Sequence, residues 1–365
     1  MLMLAGAILT NETADNGEQV MTARRRSAIR IFGAALAFTT VVMAGGLAAP
    51  ARAQGTAPIV MKLSTATLND TQHEWMKRFA AAVEKDSGGR IKGEVYPASQ
   101  LGSIPRQIEG TQFGSIQGWV GPPEFLVGVD ERFQALSAPG LFTTQEQDVR
   151  VLNDPAVRDM MLGLGANKGL AGAGIFPLGP SSIAMHKPVH HLAEFKGLKI
   201  RVLASPFQLE MIKRMDASPV AMSLADVLPA IQQGTIDGAL TSITVDTTLH
   251  YVDAAKYVVD TGQPWINSIA VLSQKWLAAL PPELQKIVRD DATKVSTDIV
   301  PFVNEFFAAQ SKVWTDSGGE LIALPAAEQD AMIAKISSIG NDMSAANPEL
   351  NAAVKVVFAS AARNK

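Results

Sequence analysis

The sequence contains no cysteine. This absence excludes a disulfide framework and any metal site built on thiolates. Aromatic residues make up only 6% of the chain and no basic patch is present, which argues against nucleic-acid binding. The sequence also lacks an H-E-x-x-H helix, a Walker loop and a nucleophile elbow, so the usual sequence signals of a catalytic centre are missing.

The chain has 365 residues, 47% of them hydrophobic, enough for about two domains with buried cores. Strand-like and helix-like stretches alternate from Ile59 onward. The stretch "IVMKLST" predicts a strand, and the helix pattern after it places Trp75, Phe79 and Val83 on one face before a glycine pair. The alternation predicts an α/β fold with mainly parallel sheets.

A different pattern begins near the C-terminal third. Residues 282–317 carry apolar residues at helical spacing and predict one long amphipathic helix, which Pro301 interrupts and kinks. Residues 318–365 contain two shorter helical patterns, at about 326–340 and 348–361.

The N-terminal segment has the pattern of a signal peptide. Met21 is the expected true start, with residues 1–20 upstream of it. Arginines follow, then an uncharged apolar stretch, then "ARA" at Ala51–Ala53 as a cleavage site. We expect residues 21–53 to direct export to the periplasm, through the Sec pathway rather than the twin-arginine one. An uncleaved membrane anchor is the alternative.

Arg201 is the residue whose position raises a functional question. Leu198, Ile200 and Val202 alternate with Lys199 and Arg201, which predicts a strand with one cationic face. Ser205 and Pro206 then suit a helix start. Arg201 is therefore either an ordinary residue on a solvated strand face or an anion-binding group at a strand's carboxyl end, where ligands of open α/β sheets collect.

The other candidates for chemistry are weak. The neighbouring His190 and His191 read as surface residues, because adjacent residues of an extended segment face opposite ways. Asp237 and Asp246 lie nine positions apart in a turn-rich stretch, and nothing places them as a hydrolytic pair. An exported α/β protein without a catalytic constellation is expected to bind rather than to catalyse.

Four stretches resemble a known family. They are "GGRIKGEVYPASQLGS", "FKGLKIRV", "SPVAMSLADVLPAIQQGTIDGA" and "KWLAALPPELQ", in the family's order and spacing. The chain from about Ile59 to Phe358 looks like the dicarboxylate-receptor type of solute-binding protein that serves tripartite ATP-independent periplasmic (TRAP) transporters. The resemblance implies a two-lobed fold with a ligand cleft between the lobes and a domain-spanning helix at residues 282–317. Lobe I would comprise residues 58–177 and about 264–281, and lobe II residues 178–263, with hinges near 177–181 and 262–266.

The resemblance also implies a site. Arg201 falls on the family's carboxylate-clamping arginine. Thr241 and Ser242 stand where many members have asparagine and proline, and a second arginine common in the family is missing, with Ser181 and Ser182 in its region. The further candidates are Trp119, Glu124, Trp265, Asn267, Thr65 and Thr67. Trp119 and Trp265 are alternatively core aromatics, and Glu124 is alternatively a surface acid.

One arginine with two tryptophans favours a monocarboxylate with an apolar or aromatic body over a C4-dicarboxylate. The family implies delivery of the acid to the small and large membrane subunits of a sodium- or proton-driven permease, by a monomer without a cofactor. The alternatives are a periplasmic sensor adaptor that signals ligand occupancy and an enzyme acting on an organic acid, which needs a general base beside Arg201.

Overall fold

The computed structural model describes residues 57–365, so the predicted signal peptide at residues 21–53 lies outside the described part. The strands within that part are β1 (Ile59–Ser64), β2 (Ile91–Tyr96), β3 (Gly118–Gly121), β4 (Leu170–Met185), β5 (Lys199–Val202), β6 (Ser218–Ala221), β7 (Gly238–Thr241), β8 (Tyr257–Ser273) and β9 (Glu320–Ala323).

Thirteen α-helices join or follow these strands within residues 57–365: α1 (Thr71–Asp86), α2 (Ile104–Phe113), α3 (Gln145–Asn153), α4 (Pro155–Gly163), α5 (Pro206–Arg214), α6 (Val227–Gln232), α7 (Ile243–Thr248), α8 (Gln274–Ala279), α9 (Pro282–Asp298), α10 (Val300–Asp316), α11 (Ala326–Ile336), α12 (Ile339–Ser344) and α13 (Pro348–Arg363). None of them combines the length and the apolar character that a membrane crossing requires.

The helix predicted after the first strand shows how the local pattern works. The Asp70 side chain accepts a hydrogen bond from the backbone amide of His73 at 3.0 Å and caps α1. Trp75, Phe79 and Val83 lie buried on one face. The Trp75 indole donates to Ser296 Oγ at 3.0 Å, which ties α1 to α9. Both the strand and the helix predicted for this stretch are confirmed.

The sheet runs in the order β2-β1-β3-β8-β4-β7-β5-β6, with β9 beside β8. We call β1, β2 and β3 its first half and β5, β6 and β7 its second half. Pairing is parallel within each half, as the alternation predicts. The pairs β3–β8, β4–β8 and β4–β7 are antiparallel. The sheet is therefore mixed rather than mainly parallel, because β4 and β8 form a long antiparallel pair at its centre.

Strands β4 and β8 each run through both halves of the sheet. The amino end of β4 pairs with the part of β8 that contacts β3, while Ser182–Met185 pair with β7. Their register shifts between Pro177 and Gly179 and again between Pro180 and Ser182. Pro177 and Pro180 have no amide hydrogen to donate to the sheet. Gly179 has a backbone φ of +126°, which residues with an L side chain rarely adopt. The irregular stretch between the halves coincides with the first hinge predicted from sequence.

Residues 282–317 form two consecutive helices rather than one. Helix α9 ends at Asp298 and α10 begins at Val300, with Ile299 between them in a helical conformation. Pro301 has no amide to donate to the preceding turn, so the break falls where the sequence places the kink. Helix α9 packs on α1, whereas α10 packs on α7, where the Thr247 hydroxyl donates to Gln310 Oε1.

The C-terminal part contains a strand that the helical patterns do not indicate. Strand β9 adds to β8 in parallel, with Val258 opposite Leu321. Helices α11 to α13 then return, and Gln147 on α3 donates to the carbonyl of Ala361 at 2.9 Å. The region predicted as helices alone is thus a strand followed by helices.

Candidate ligand-binding site

A cavity lies between the two halves of the sheet. Ala66 and Thr67 follow β1, Trp119 and Gly121 belong to β3, Arg201 and Leu203 come from the end of β5, and Thr241 and Ser242 close β7. The volume of the cavity, counted as the space that the centre of a water-sized sphere can occupy, is about 40 Å³. A single water needs roughly 10–15 Å³ by that measure, so the space suits a group of a few heavy atoms.

Arg201 is the charged residue of this cavity. Its side chain is only 1% exposed, so the alternative of a solvated strand residue is wrong. Nε donates to the carbonyl of Met222 at 3.0 Å and Nη1 to that of Leu240 at 3.1 Å. Nη2 has no hydrogen-bond partner among the described residues. The guanidinium is therefore fixed by the backbone on one edge and keeps a free donor on the other.

The helix start after β5 differs in one detail from the prediction. Pro206 occupies the first turn of α5 as expected, but the Ser205 side chain makes no capping hydrogen bond. The Ser205 hydroxyl instead lies 3.3 Å from that of Ser137. Ser137 belongs to the segment between β3 and α3, so this contact joins the segment after β5 to the one after β3.

Burial shifts the pKa values of Arg201 and of the nearby Asp246 in opposite directions, each toward the neutral form. Burial lowers the pKa of Arg201 to about 10, and the nearby Tyr251 and Asp246 act against that shift. Burial raises the pKa of Asp246 to about 8, opposed by hydrogen bonds from Thr241 and Ser182 and by the charge of Arg201. Arg201 remains cationic at neutral pH.

Asp246 organises the hydroxyl groups beside Arg201. Thr241 Oγ1 donates to Asp246 Oδ1, and Ser182 Oγ lies 3.5 Å from Oδ2. The Ser242 and Thr244 hydroxyls lie 2.7 Å apart. Asp237, the other acid of the rejected hydrolytic pair, accepts from the backbone amide of Lys199 at 2.8 Å and supports the sheet. Asp246 therefore holds hydroxyl groups, while Asp237 holds a backbone amide.

The remaining wall is mostly apolar. The Trp119 ring is 1% exposed and lines the cavity together with Phe125, Leu178 and Ile266. Gly121 permits this placement, because a Cβ at that position would overlap the Trp119 ring. Trp119 is thus both a buried aromatic and a wall of the cavity, which joins the two interpretations drawn from sequence.

Thr67 lines the cavity, while Thr65 stands behind it. Thr65 Oγ1 donates to Gln72 Oε1 at 2.9 Å and lies 3.4 Å from the Thr67 hydroxyl. Gln72 itself reaches the cavity from the first turn of α1. Gln72 was not among the predicted residues, and only its position in the first turn of a capped helix could have indicated it.

Three further candidates lie outside the cavity lining. Trp265 packs edge-on against Phe142, with ring centroids 6.2 Å apart, as a core aromatic. Asn267 is buried and hydrogen-bonds the side chain of Asp148. Glu124 is 1% exposed and accepts from Gln208 Nε2 at 3.3 Å, so its interpretation as a surface acid is wrong. His190 and His191 are exposed, as predicted.

Comparison with known proteins identifies the family. Residues 63–347 match the model of bacterial extracellular solute-binding protein, family 7. The chain belongs to this family. The TRAP resemblance, the two-lobed α/β fold and the role of a solute-binding receptor, all predicted from the sequence, are therefore confirmed.

The family 7 receptor has relatives of similar length. It is 30% identical over 240 residues to the protein YiiZ of Salmonella typhimurium, covering 66% of this chain and 73% of that one. It is 26% identical to the C4-dicarboxylate-binding periplasmic protein DctP of Rhodobacter capsulatus, covering 70% and 76%. A TRAP periplasmic solute-binding protein of Desulfovibrio salexigens, crystallised with orotic acid, superposes with a TM-score of 0.79 at 21% identity over 84% of this chain and 99% of that one.

Proposed function

We propose that this receptor captures an organic acid with a single carboxylate in the periplasm and delivers it to the membrane subunits of a TRAP permease. The observation that carries the proposal is Arg201. It is the one charged side chain lining the cavity within residues 57–365, and its Nη2 has no protein partner there. Export rests on the signal-like segment at residues 21–53.

A buried guanidinium selects for an anion. Its fork matches the two oxygens of a carboxylate, and such charge-assisted bonds are short and strong. A neutral molecule in the same place leaves a buried charge unpaired, which costs several kcal/mol, so it is rejected. Thr67, Thr241 and Ser242 supply hydroxyls for the polar atoms of the acid, and Trp119 packs on its apolar part.

The same lining argues against two carboxylates. A C4-dicarboxylate needs a second cationic partner, and the cavity within the described residues offers only Arg201. One relative is named for C4-dicarboxylates and one matching structure holds orotic acid, a heterocyclic monocarboxylate. Both names agree with a carboxylate ligand, and the single cation favours the monocarboxylate.

We further propose that the ligand closes two lobes over itself. Lobe I comprises residues 58–177 and about 264–281, and lobe II residues 178–263. The register shifts of β4 between Pro177 and Ser182 support a hinge there, and the Ser137–Ser205 and Glu124–Gln208 contacts join the two lobes beside the cavity.

We propose no chemistry on the bound acid. A general base would have to reach the ligand. Asp246, the acid whose charge acts on Arg201, does not line the cavity and is engaged by Thr241 and Ser182.

The test is a panel of monocarboxylates, dicarboxylates and neutral analogues measured by calorimetry on the mature chain, with Arg201→Ala and the exposed Arg289→Ala as control. Removing one partner of a buried, hydrogen-bonded charge pair costs about 2–5 kcal/mol, so Arg201→Ala should weaken binding at least 30-fold. Arg289→Ala should bind like the wild type. An acid that binds equally to Arg201→Ala, or a panel in which only neutral or cationic compounds bind, contradicts the proposal.

A further inference from the structure

A groove adjoins the ligand cavity on the side of Tyr251. It offers about 250 Å³ to the centre of a water-sized sphere, several times the volume of the cavity itself. Ala66, which follows β1, and Leu224, which follows β6, line both spaces. The groove and the Arg201 cavity therefore lie side by side and share these two residues as a common wall.

The groove wall carries no charge. Apart from the hydroxyls of Ser99 and Tyr251, its lining is aliphatic, with Ala225 and Leu228 among the residues on the second side. A second carboxylate or an ammonium group would find no partner there. Alkyl or aromatic surface would instead leave water at a gain of about 25 cal/mol per Å².

Tyr251 supplies an independent sign of a ligand. Its side chain is only 1% exposed, and its hydroxyl has no hydrogen-bond partner among the described residues. Tyr251 lies close enough to Arg201 and Asp246 for their charges to act on its pKa. Buried tyrosine hydroxyls normally have a partner, and a polar atom of a molecule in the groove is the candidate partner for this one.

The opposite wall is held rigidly. Ala98 and Ser99 are consecutive non-glycine residues in the left-handed region, with φ of 52° and 57°. Their amides donate to the carbonyls of Thr67 at 2.9 Å and Thr65 at 3.1 Å, which fixes this strained turn onto the segment after β1. A wall fixed before binding costs a ligand little ordering entropy.

We infer that the groove is an extension of the ligand site, which takes the apolar end of an elongated monocarboxylate whose carboxylate lies on Arg201. The inference rests on the proposed function and narrows it. The Arg201 cavity holds the carboxylate and the first few atoms of the acid, the Tyr251 hydroxyl meets a polar atom in mid-chain, and the aliphatic wall covers the rest. Short acids use the cavity alone.

The experiment measures binding of straight-chain carboxylates of two to eight carbons, and of phenylalkanoates, by calorimetry. In the wild type, affinity should rise about fourfold for each methylene that enters the groove. The exposed Ala225 faces the groove, so Ala225→Trp should fill it and flatten the series while the shortest binding acid keeps its affinity. Leu228→Trp is a second blocking variant, and Ala278→Trp on the exposed face of α8 is the matched control.

Tyr251→Phe adds a separate readout. This variant should lower the affinity for acids with a mid-chain hydroxyl or keto group about tenfold. Its affinity for unsubstituted acids should equal that of the wild type. A flat chain-length series in the wild type overturns the extension, as does a long acid that binds both blocking variants as tightly as the control. Either result leaves short acids bound through Arg201, whereas acids that bind regardless of Arg201→Ala, or no acid at all, overturn the proposed function as well.

Discussion

Glu124→Gln should make the stability of the receptor less dependent on pH. Glu124 lies in a short helix after β3, is 1% exposed and faces Gln208 across the two halves of the sheet. Burial raises its pKa from 4.5 to about 8, and only its own backbone amide acts against that shift. No cationic side chain of the described residues contributes, so the neutral acid is the form that the fold accepts.

The sign follows from proton binding. Between pH 4.5 and about 8 the folded chain holds a proton on Glu124 that the unfolded chain has released. The folded state therefore loses stability as pH rises through this window and changes no further, through this group, above pH 8. One proton changes the free energy of unfolding by about 1.4 kcal/mol per pH unit, so Glu124 alone lowers it by about 3 kcal/mol between pH 5 and pH 8.

Urea unfolding of the mature chain at pH 5, 6, 7 and 8 measures this contribution. Asp246 and Asp148 also contribute to the wild-type slope of unfolding free energy against pH, because burial raises their pKa values as it does that of Glu124. Glu124→Gln should therefore reduce the slope by about one proton rather than abolish it, and Glu109→Gln on the exposed face of α2 is the control. Equal pH slopes for Glu124→Gln and the wild type would refute the reasoning.

Two glycine substitutions test the hinge and the cavity wall. Gly179→Ala places a Cβ on a residue with φ +126°, 2.9 Å from the Phe307 ring. This variant should lower the free energy of unfolding by about 1–3 kcal/mol in urea titrations. Gly163 has open space around it, so the control Gly163→Ala should keep the wild-type free energy of unfolding. In Gly121→Ala the new Cβ pushes the Trp119 ring into the cavity, so the affinity for the acid, measured by calorimetry, should fall at least tenfold. The control Gly128→Ala should keep the wild-type affinity. An unchanged affinity in Gly121→Ala would show that the ring does not border the ligand.

Local patterns predicted the elements near Arg201 well. The alternation around Arg201, the proline at the start of α5 and the capped α1 depend on neighbours within one or two turns. The central strands β4 and β8 were harder, because prolines and glycines break their alternation while the pairing between them keeps them extended. Strand β9 is four residues long and is held by β8 alone, so periodicity gave no sign of it.

The candidate site was predictable only where one residue carries the chemistry. Arg201 was singled out because it ends a predicted strand and because the family resemblance places it on the carboxylate-clamping arginine. Gln72 reaches the cavity from α1, far from Arg201 in the chain, so only tertiary packing brings the two side chains to one cavity. Trp265 and Asn267 have the expected residue types, but the packing of β8 directs them to Phe142 and Asp148 instead.

The break at Ile299 makes the angle between α9 and α10 a direct measure of the proposed closure. Helix α9 is tied to α1 of proposed lobe I through Ser296 and Trp75, and α10 is tied to α7 of proposed lobe II through Gln310 and Thr247. Phe302 at the start of α10 stays beside Arg78 of α1, so the proposed closure would change the angle between the two helices near the break. Because the chain has no cysteine, thiol labels placed by Arg289→Cys on α9 and Ala309→Cys on α10 report that angle with no background. A distance between two labels on the receptor's surface thereby becomes a readout of ligand capture that leaves the cleft untouched.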